Sequence, residues 1–268
     1  MEYAKEFENL LNSTNETLIG VGNPNAKILI IACEPSIPEE NHCQIEREIL
    51  NNKLQWQTIL SNPQKMDEWI HSYTLENNPC KDLGCGIPNY NPYYPYYRQK
   101  YKVSPKNGGT SRSWYFYQKL VDTIYGVTIR HDYIDFFNNC FTVDLSAANA
   151  PNHNRRNLTK TTQSVKERIN HLFPHSFFQS FPIVIMCCGH YVHDFGIRPD
   201  KLFDINFIGD IGKNGDWINY HYTKKSGHKL LLHTKHLTAR GLKVNDYINQ
   251  IANICIRFRD ENQIDLFK

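Results

Sequence analysis

The chain has 268 residues, 40% of them apolar, which is enough to bury one sizeable core and leaves no need for a second domain. A formal net charge of +3 excludes nucleic-acid binding by bulk charge and leaves that task to a local basic patch. No apolar run is long enough to cross a bilayer and none opens the chain, so a cytoplasmic protein without a membrane partner or a disulfide framework is expected.

Residues 3 to 18 read as an amphipathic helix or arm, with Phe7, Leu10 and Leu11 apolar among Glu and Asn. Gly20-Val21-Gly22-Asn23-Pro24 is a turn cluster. Lys27 to Ala32 is a buried strand, and Cys33-Glu34-Pro35-Ser36 places a carboxylate just past its carboxyl end, where proline stops the ladder. A glutamate half-buried there needs a partner or a purpose. Helical material follows around Ile45 to Leu60. Residues 38 to 107 form an insertion that turns Tyr- and Pro-rich, with six tyrosines between Tyr90 and Tyr101 interleaved with Arg98 and Lys100. That segment is either packing filler in a long loop or a stacking platform for bases.

Gly108 to Ser113 leads into a helix with Trp114, Phe116, Leu120, Val121 and Ile124 on its apolar side. The hydroxyls at its start make either a phosphate site or plain caps. A second strand is expected over Asp135 to Val143, although Asn138 and Asn139 are unusual in a strand interior. A loop carrying Asn152 to Arg156 precedes a helix over roughly 160 to 173, and Pro182 to Cys188 is a third buried strand. Trp217 to Tyr222 and His228 to His233 flank Thr-Lys-Lys-Ser-Gly, a hairpin turn. The strand Leu230 to Leu232 stops at His233, a basic loop runs to Gly241, and a last helix reaches about residue 259. Cys80 and Cys85 are spaced too widely for a zinc knuckle, and His190 and His193 lack carboxylate or thiolate company. No metal and no cofactor is expected.

Strands separated by helix-bearing segments give a mainly parallel sheet between helix layers. Ligands of such sheets bind outside the carboxyl ends of the strands. Three of those ends supply Glu34, Asn139 (or Asn138) and His233. An acid, an amide and an imidazole suit removal of a base from deoxyribose. The carboxylate steadies the cationic sugar and orients a water. The amide reads a pyrimidine edge with one donor and one acceptor. The neutral histidine donates to the base oxygen that gains charge.

Gly22-Asn23-Pro24-x-Ala26-Lys27, followed by Ile-Leu-Ile-Ile and Glu34-Pro35, resembles the first motif of the uracil-DNA glycosylase superfamily. His233-x-x-x-Leu237-Thr238-Ala239 is similar to its last motif, and Asn139 with Asn152 to Arg156 to the middle motif of its iron–sulfur branch. The resemblance implies one domain over residues 1 to 268, a three-layer α/β/α sandwich on a central, mainly parallel four-stranded sheet. It implies a monofunctional DNA glycosylase that flips a base out of single- or double-stranded DNA and hydrolyses its N-glycosidic bond. A binding module with weakened catalysis is the alternative. On this resemblance Glu34 positions the water and His233 is the electrophile. Asn139 reads the base beside Cys33 and Ser36. Leu237 enters the duplex, while Lys235, His236, Arg240, Ser111 and Arg112 meet the DNA backbone. Ser36 replaces a tyrosine that blocks a 5-methyl group, so a pocket admitting 5-substituted pyrimidines is expected. Thr234, Lys235 and His236 replace the Pro-Ser-Pro of the last motif. The cluster cysteines are not at matching places, so no iron–sulfur cluster is expected.

Overall fold

A computed structural model describes residues 4–62, 91–95, 99–103, 109–128, 132–151, 157–212, 215–224 and 227–266. Its strands are Val21–Gly22 (β1), Ile28–Ala32 (β2), Lys100–Val103 (β3), Gly109–Thr110 (β4), Phe141–Asp144 (β5), Ile183–Met186 (β6), Asn206–Asp210 (β7), Ile218–Thr223 (β8) and Lys229–Thr234 (β9). The expected aliphatic runs form the centre. Strands β5, β2, β6 and β9 lie side by side in that order, all parallel.

The sheet does not stop at four strands. Strand β1 pairs antiparallel with β5 at one edge, and β8 then β7 extend the other edge antiparallel, giving seven strands in a mixed sheet. The hairpin supplies β8, as its turn residues predict. Strand β7 escapes a sequence reading because Phe207 and Ile208 are both exposed, so no alternation marks it. The glycine turn cluster contains β1. Gly22 there has φ +103°, and a Cβ would sit 2.4 Å from the Cys140 carbonyl oxygen, so the strand can dock on β5 only with glycine at this position.

Helices cover both faces. They are Lys5–Ser13 (α1), His42–Ile45 (α2), Asn52–Ser61 (α3), Arg112–Tyr125 (α4), Leu158–Glu167 (α5), Ser176–Gln179 (α6), Tyr191–Asp194 (α7), Pro199–Leu202 (α8) and Val244–Glu261 (α9). Alternate strand residues point to opposite faces. Leu29, Ile31, Val184, Met186 and Leu231 therefore meet α1, α3 and α6 through Phe7, Trp56 and Phe177. Ile28, Ile30, Ile185, Leu230 and Leu232 meet α4 and α9 through Leu120, Tyr247 and Ile251. Among the described residues no helix is long and apolar enough to cross a membrane.

Two local expectations are corrected. Asp135 to Asn139 is not strand. Phe136–Asn138 is a 3₁₀ turn, held because the Gln118 Oε1 accepts from the backbone N–H of Asp135 (2.7 Å) and of Phe136 (2.9 Å). The strand at the other end is longer than expected, since pairing with β8 carries β9 through His233 to Thr234. Cys33, Cys140, Cys187, Cys188 and Cys255 are free thiols, while Cys43 is disulfide-bonded. Of the tyrosine-rich segment, Tyr93 is buried against Trp56 and Tyr101 stacks on Tyr115 at 4.8 Å, both packing roles. Arg98, Cys80, Cys85 and Asn152 to Arg156 lie outside the described residues.

Phe141 is the hub of one core face, with ring centroids 5.1 Å from Phe177, 5.7 Å from Phe7 and 6.2 Å from Trp56. Phe141→Ala should destabilise the chain by roughly 3–5 kcal/mol, the range for deleting a buried aromatic ring. Urea unfolding should show a lower midpoint at an unchanged slope.

Candidate active site

The carboxyl ends of β2 and β5 open into a cavity of about 430 Å³. Cys33, Glu34, Pro35 and Ser36 enter from β2, Asp144 from β5, Trp114 and Tyr117 from α4, and Gln99 and His236 from loops. The volume falls in the range of small-molecule sites.

Glu34 is half-buried and accepts a short hydrogen bond from the Tyr191 hydroxyl of α7. Asp144 stands one strand away, half-buried. Burial pushes its pKa up to about 7, with the Arg168 guanidinium pulling it down and the Glu34 charge pushing it up. The cavity thus holds Glu34 and Asp144 at neighbouring strand ends, with Asp144 close to its midpoint near neutral pH, and Glu48 lines it as well.

His236 is the imidazole that lines this cavity. Burial lowers its pKa, so the ring is neutral. Its Nδ1 accepts the Thr238 backbone N–H at 3.2 Å, which assigns the ring proton to Nε2. Nε2 bonds nothing among the described residues and is left as a donor.

His233, the expected electrophile, does not line the cavity. It is 5% exposed and engaged at both ring nitrogens, Nε2 with the Gly189 carbonyl at 2.8 Å and Nδ1 with the Asn219 amide at 3.2 Å. Trp217 packs on it at 4.7 Å, and burial pulls its pKa down to about 4. The imidazole with a donor to offer is three residues further along.

The other expected residues divide. Cys33 and Ser36 line the cavity, Cys33 with its thiol 3.5 Å from the Cys188 carbonyl and Ser36 exposed at its mouth. Asn139 lies before the amino end of β5, away from Glu34 at the opposite edge, and Asn138 is in the 3₁₀ turn beside it. Neither lines the cavity. Leu237 is 1% exposed and packed with Tyr247 and Ile248 in the core, so it is not presented to a duplex. Lys235 is paired with Asp216 at 3.0 Å. Ser111 caps α4 through the Trp114 N–H at 3.2 Å, and lines the cavity as well. Arg112 and Arg240 are exposed. Sequence reasoning misses Asp144, Gln99, Tyr117 and Tyr191. Asp144 carries the same signal as Glu34, an acid at the end of a buried strand. Nothing in the local sequence marks Gln99.

No family model matches the chain, and a comparison with curated proteins finds no match. Among the described residues no cluster of three or more His, Cys, Asp or Glu could hold a metal ion.

Since folding raises the Asp144 pKa above its unfolded value of ~3.9, its ionisation favours the unfolded chain. Its contribution to stability is full below that value and is lost as pH rises to about 7. Asp144→Asn should therefore gain on the wild type between pH 5 and pH 8, on the order of 2 kcal/mol after allowance for solvent at a half-buried site. Urea unfolding at the two pH values measures the gain. A difference that does not move with pH would assign the ionisation to another group.

Proposed function

We propose that the chain is a monofunctional DNA glycosylase of the uracil-DNA glycosylase type, with Glu34 and His236 as its catalytic pair. The reaction breaks the C–N bond between sugar and base. The electron pair leaves with the base, the sugar becomes cationic, and a water oxygen bonds to the anomeric carbon. Glu34 lies where a carboxylate can steady the cation and take the water proton, its orientation fixed by Tyr191. His236 offers its Nε2–H to the base oxygen that gains charge, without having to carry a charge itself. Water is the only co-reactant needed. The observation that carries the reading is a carboxylate and a neutral imidazole donor on one cavity at the carboxyl edge of parallel strands.

DNA is the proposed partner, met by the exposed Arg112 and Arg240 at the surface. Ser36 adds little bulk to the cavity wall, which favours admission of pyrimidines substituted at the 5 position. The second reading, a nucleic-acid-binding module with weakened catalysis, is favoured by the engagement of His233 at the histidine position of the last motif.

Oligonucleotides carrying uracil or 5-substituted pyrimidines, incubated with the protein and then treated with alkali, report abasic sites as strand breaks. Glu34→Gln and His236→Ala should each lower kcat by about 10²- to 10³-fold at unchanged stability. His233→Ala should instead lower the urea midpoint. An equal loss of kcat with His233→Ala and no loss of stability would return the role to His233. Salt-sensitive DNA binding with no abasic product from any substrate would establish the second reading.

A further inference from the structure

Two polar atoms in the cavity wall are buried with nothing to bond. The Tyr117 hydroxyl and the Gln99 Oε1 belong to residues 3% and 8% exposed, and neither has a hydrogen-bond partner among the described residues. Both residues line the cavity. Folded proteins leave few buried polar atoms unpaired, and each that remains calls for a partner. Both residues are held in place. The Ile134 N–H donates to the Gln99 carbonyl at 2.8 Å, which anchors its main chain, and the Tyr117 ring packs edge-on against Phe136 at 6.1 Å.

We infer that Gln99 and Tyr117 form the recognition edge of this cavity, reading a planar heterocycle that presents one N–H donor and two acceptors, the pattern of a pyrimidine base. The inference rests on the cavity being the base site proposed above. The Gln99 carboxamide accepts from the ring N–H through Oε1 and donates through Nε2 to a neighbouring acceptor. The Tyr117 hydroxyl donates to the second acceptor, since burial raises its pKa well above the tyrosine range and keeps the proton in place. Trp114, half-buried on the same wall, adds an aromatic face for the ring. The amide that sequence reasoning sought at Asn139 is thus supplied by Gln99. Both are specificity-determining residues, and neither takes part in bond cleavage.

The test uses free bases and the full chain, so that recognition is read without chemistry. Calorimetric titration with uracil and with 3-methyluracil, which lacks the donor, should give binding by the first and none measurable by the second. Tyr117→Phe should weaken uracil binding about tenfold, one lost hydrogen bond to a buried partner. The same variant should unfold at an equal or higher urea concentration, because it deletes an unpaired buried hydroxyl. A merely structural tyrosine would lose stability and leave affinity alone. Gln99→Leu should weaken uracil binding by at least as much. Equal binding of the two bases, no uracil binding by the wild type, or wild-type affinity in both variants overturns the inference. Binding lost in the variants of a chain that produces no abasic sites upholds it while the glycosylase reading fails. Excision abolished by Glu34→Gln but indifferent to Gln99→Leu, in affinity and rate, overturns it while the glycosylase reading stands.

Discussion

A fully buried guanidinium holds the carboxyl edge of the sheet in place. Arg168 is 0% exposed and bonds three groups on two segments distant in sequence. Its Nε donates to the Asp144 carbonyl at 3.1 Å, and its Nη1 to Glu16 at 3.0 Å and to the Leu18 carbonyl at 2.8 Å. A buried charge is tolerable only when paired and hydrogen-bonded, and removing one partner strands the other. The segment ahead of the sheet, the end of β5 and the π-helical turn Arg168–Leu172 are therefore tied together, and with them one wall of the cavity. Leu18 and Asp144 both line that cavity, so the site's shape depends on an ion pair that takes no part in its chemistry.

The cavity's charge is negative where it is charged at all. Glu34, Glu48 and Asp144 line it, while His236 on its wall is held neutral by burial. Such an interior favours a species gaining positive charge and disfavours a phosphate. An anionic backbone would have to be met outside, and there Lys235 is already paired with Asp216. Arg112 and Arg240 remain exposed. The expected basic loop is thus partly internalised, and the division of labour is sharper than the sequence suggests: acid within, base at the surface.

The aliphatic strands and the helices that cover them are legible because burial on both faces needs unbroken apolar runs, and burial on one face needs helical spacing. Glu34 is legible for the same reason, as the first charged break after such a run. The start of the middle strand is misread because Phe136 and Phe137 look like strand residues, whereas the distant Gln118 side chain captures the backbone N–H of Asp135 and Phe136. His233 reads as the start of a loop because no local rule foresees that Asn219 and Ile218 extend the ladder past it. The open polar atoms of Gln99 and Tyr117 arise only in the assembled wall, a property that no local pattern carries.

Two carboxyl groups on one cavity cannot both ionise at low cost, because each charge raises the pKa of the other. Here the asymmetry has visible causes. Glu34 accepts from the Tyr191 hydroxyl, whereas Asp144 is pushed up by burial further than Arg168 can pull it down. A neutral Asp144 offers an O–H donor beside a C=O acceptor, the same complement as an amide. Protonated, it adds a donor to the cavity wall; ionised, it sets a negative charge one strand away from Glu34. The same residue therefore changes this part of the cavity wall from neutral to charged as pH passes through about 7. That exchange is possible only because the end of β5 is fixed by Arg168 at a depth where water reaches Asp144 incompletely.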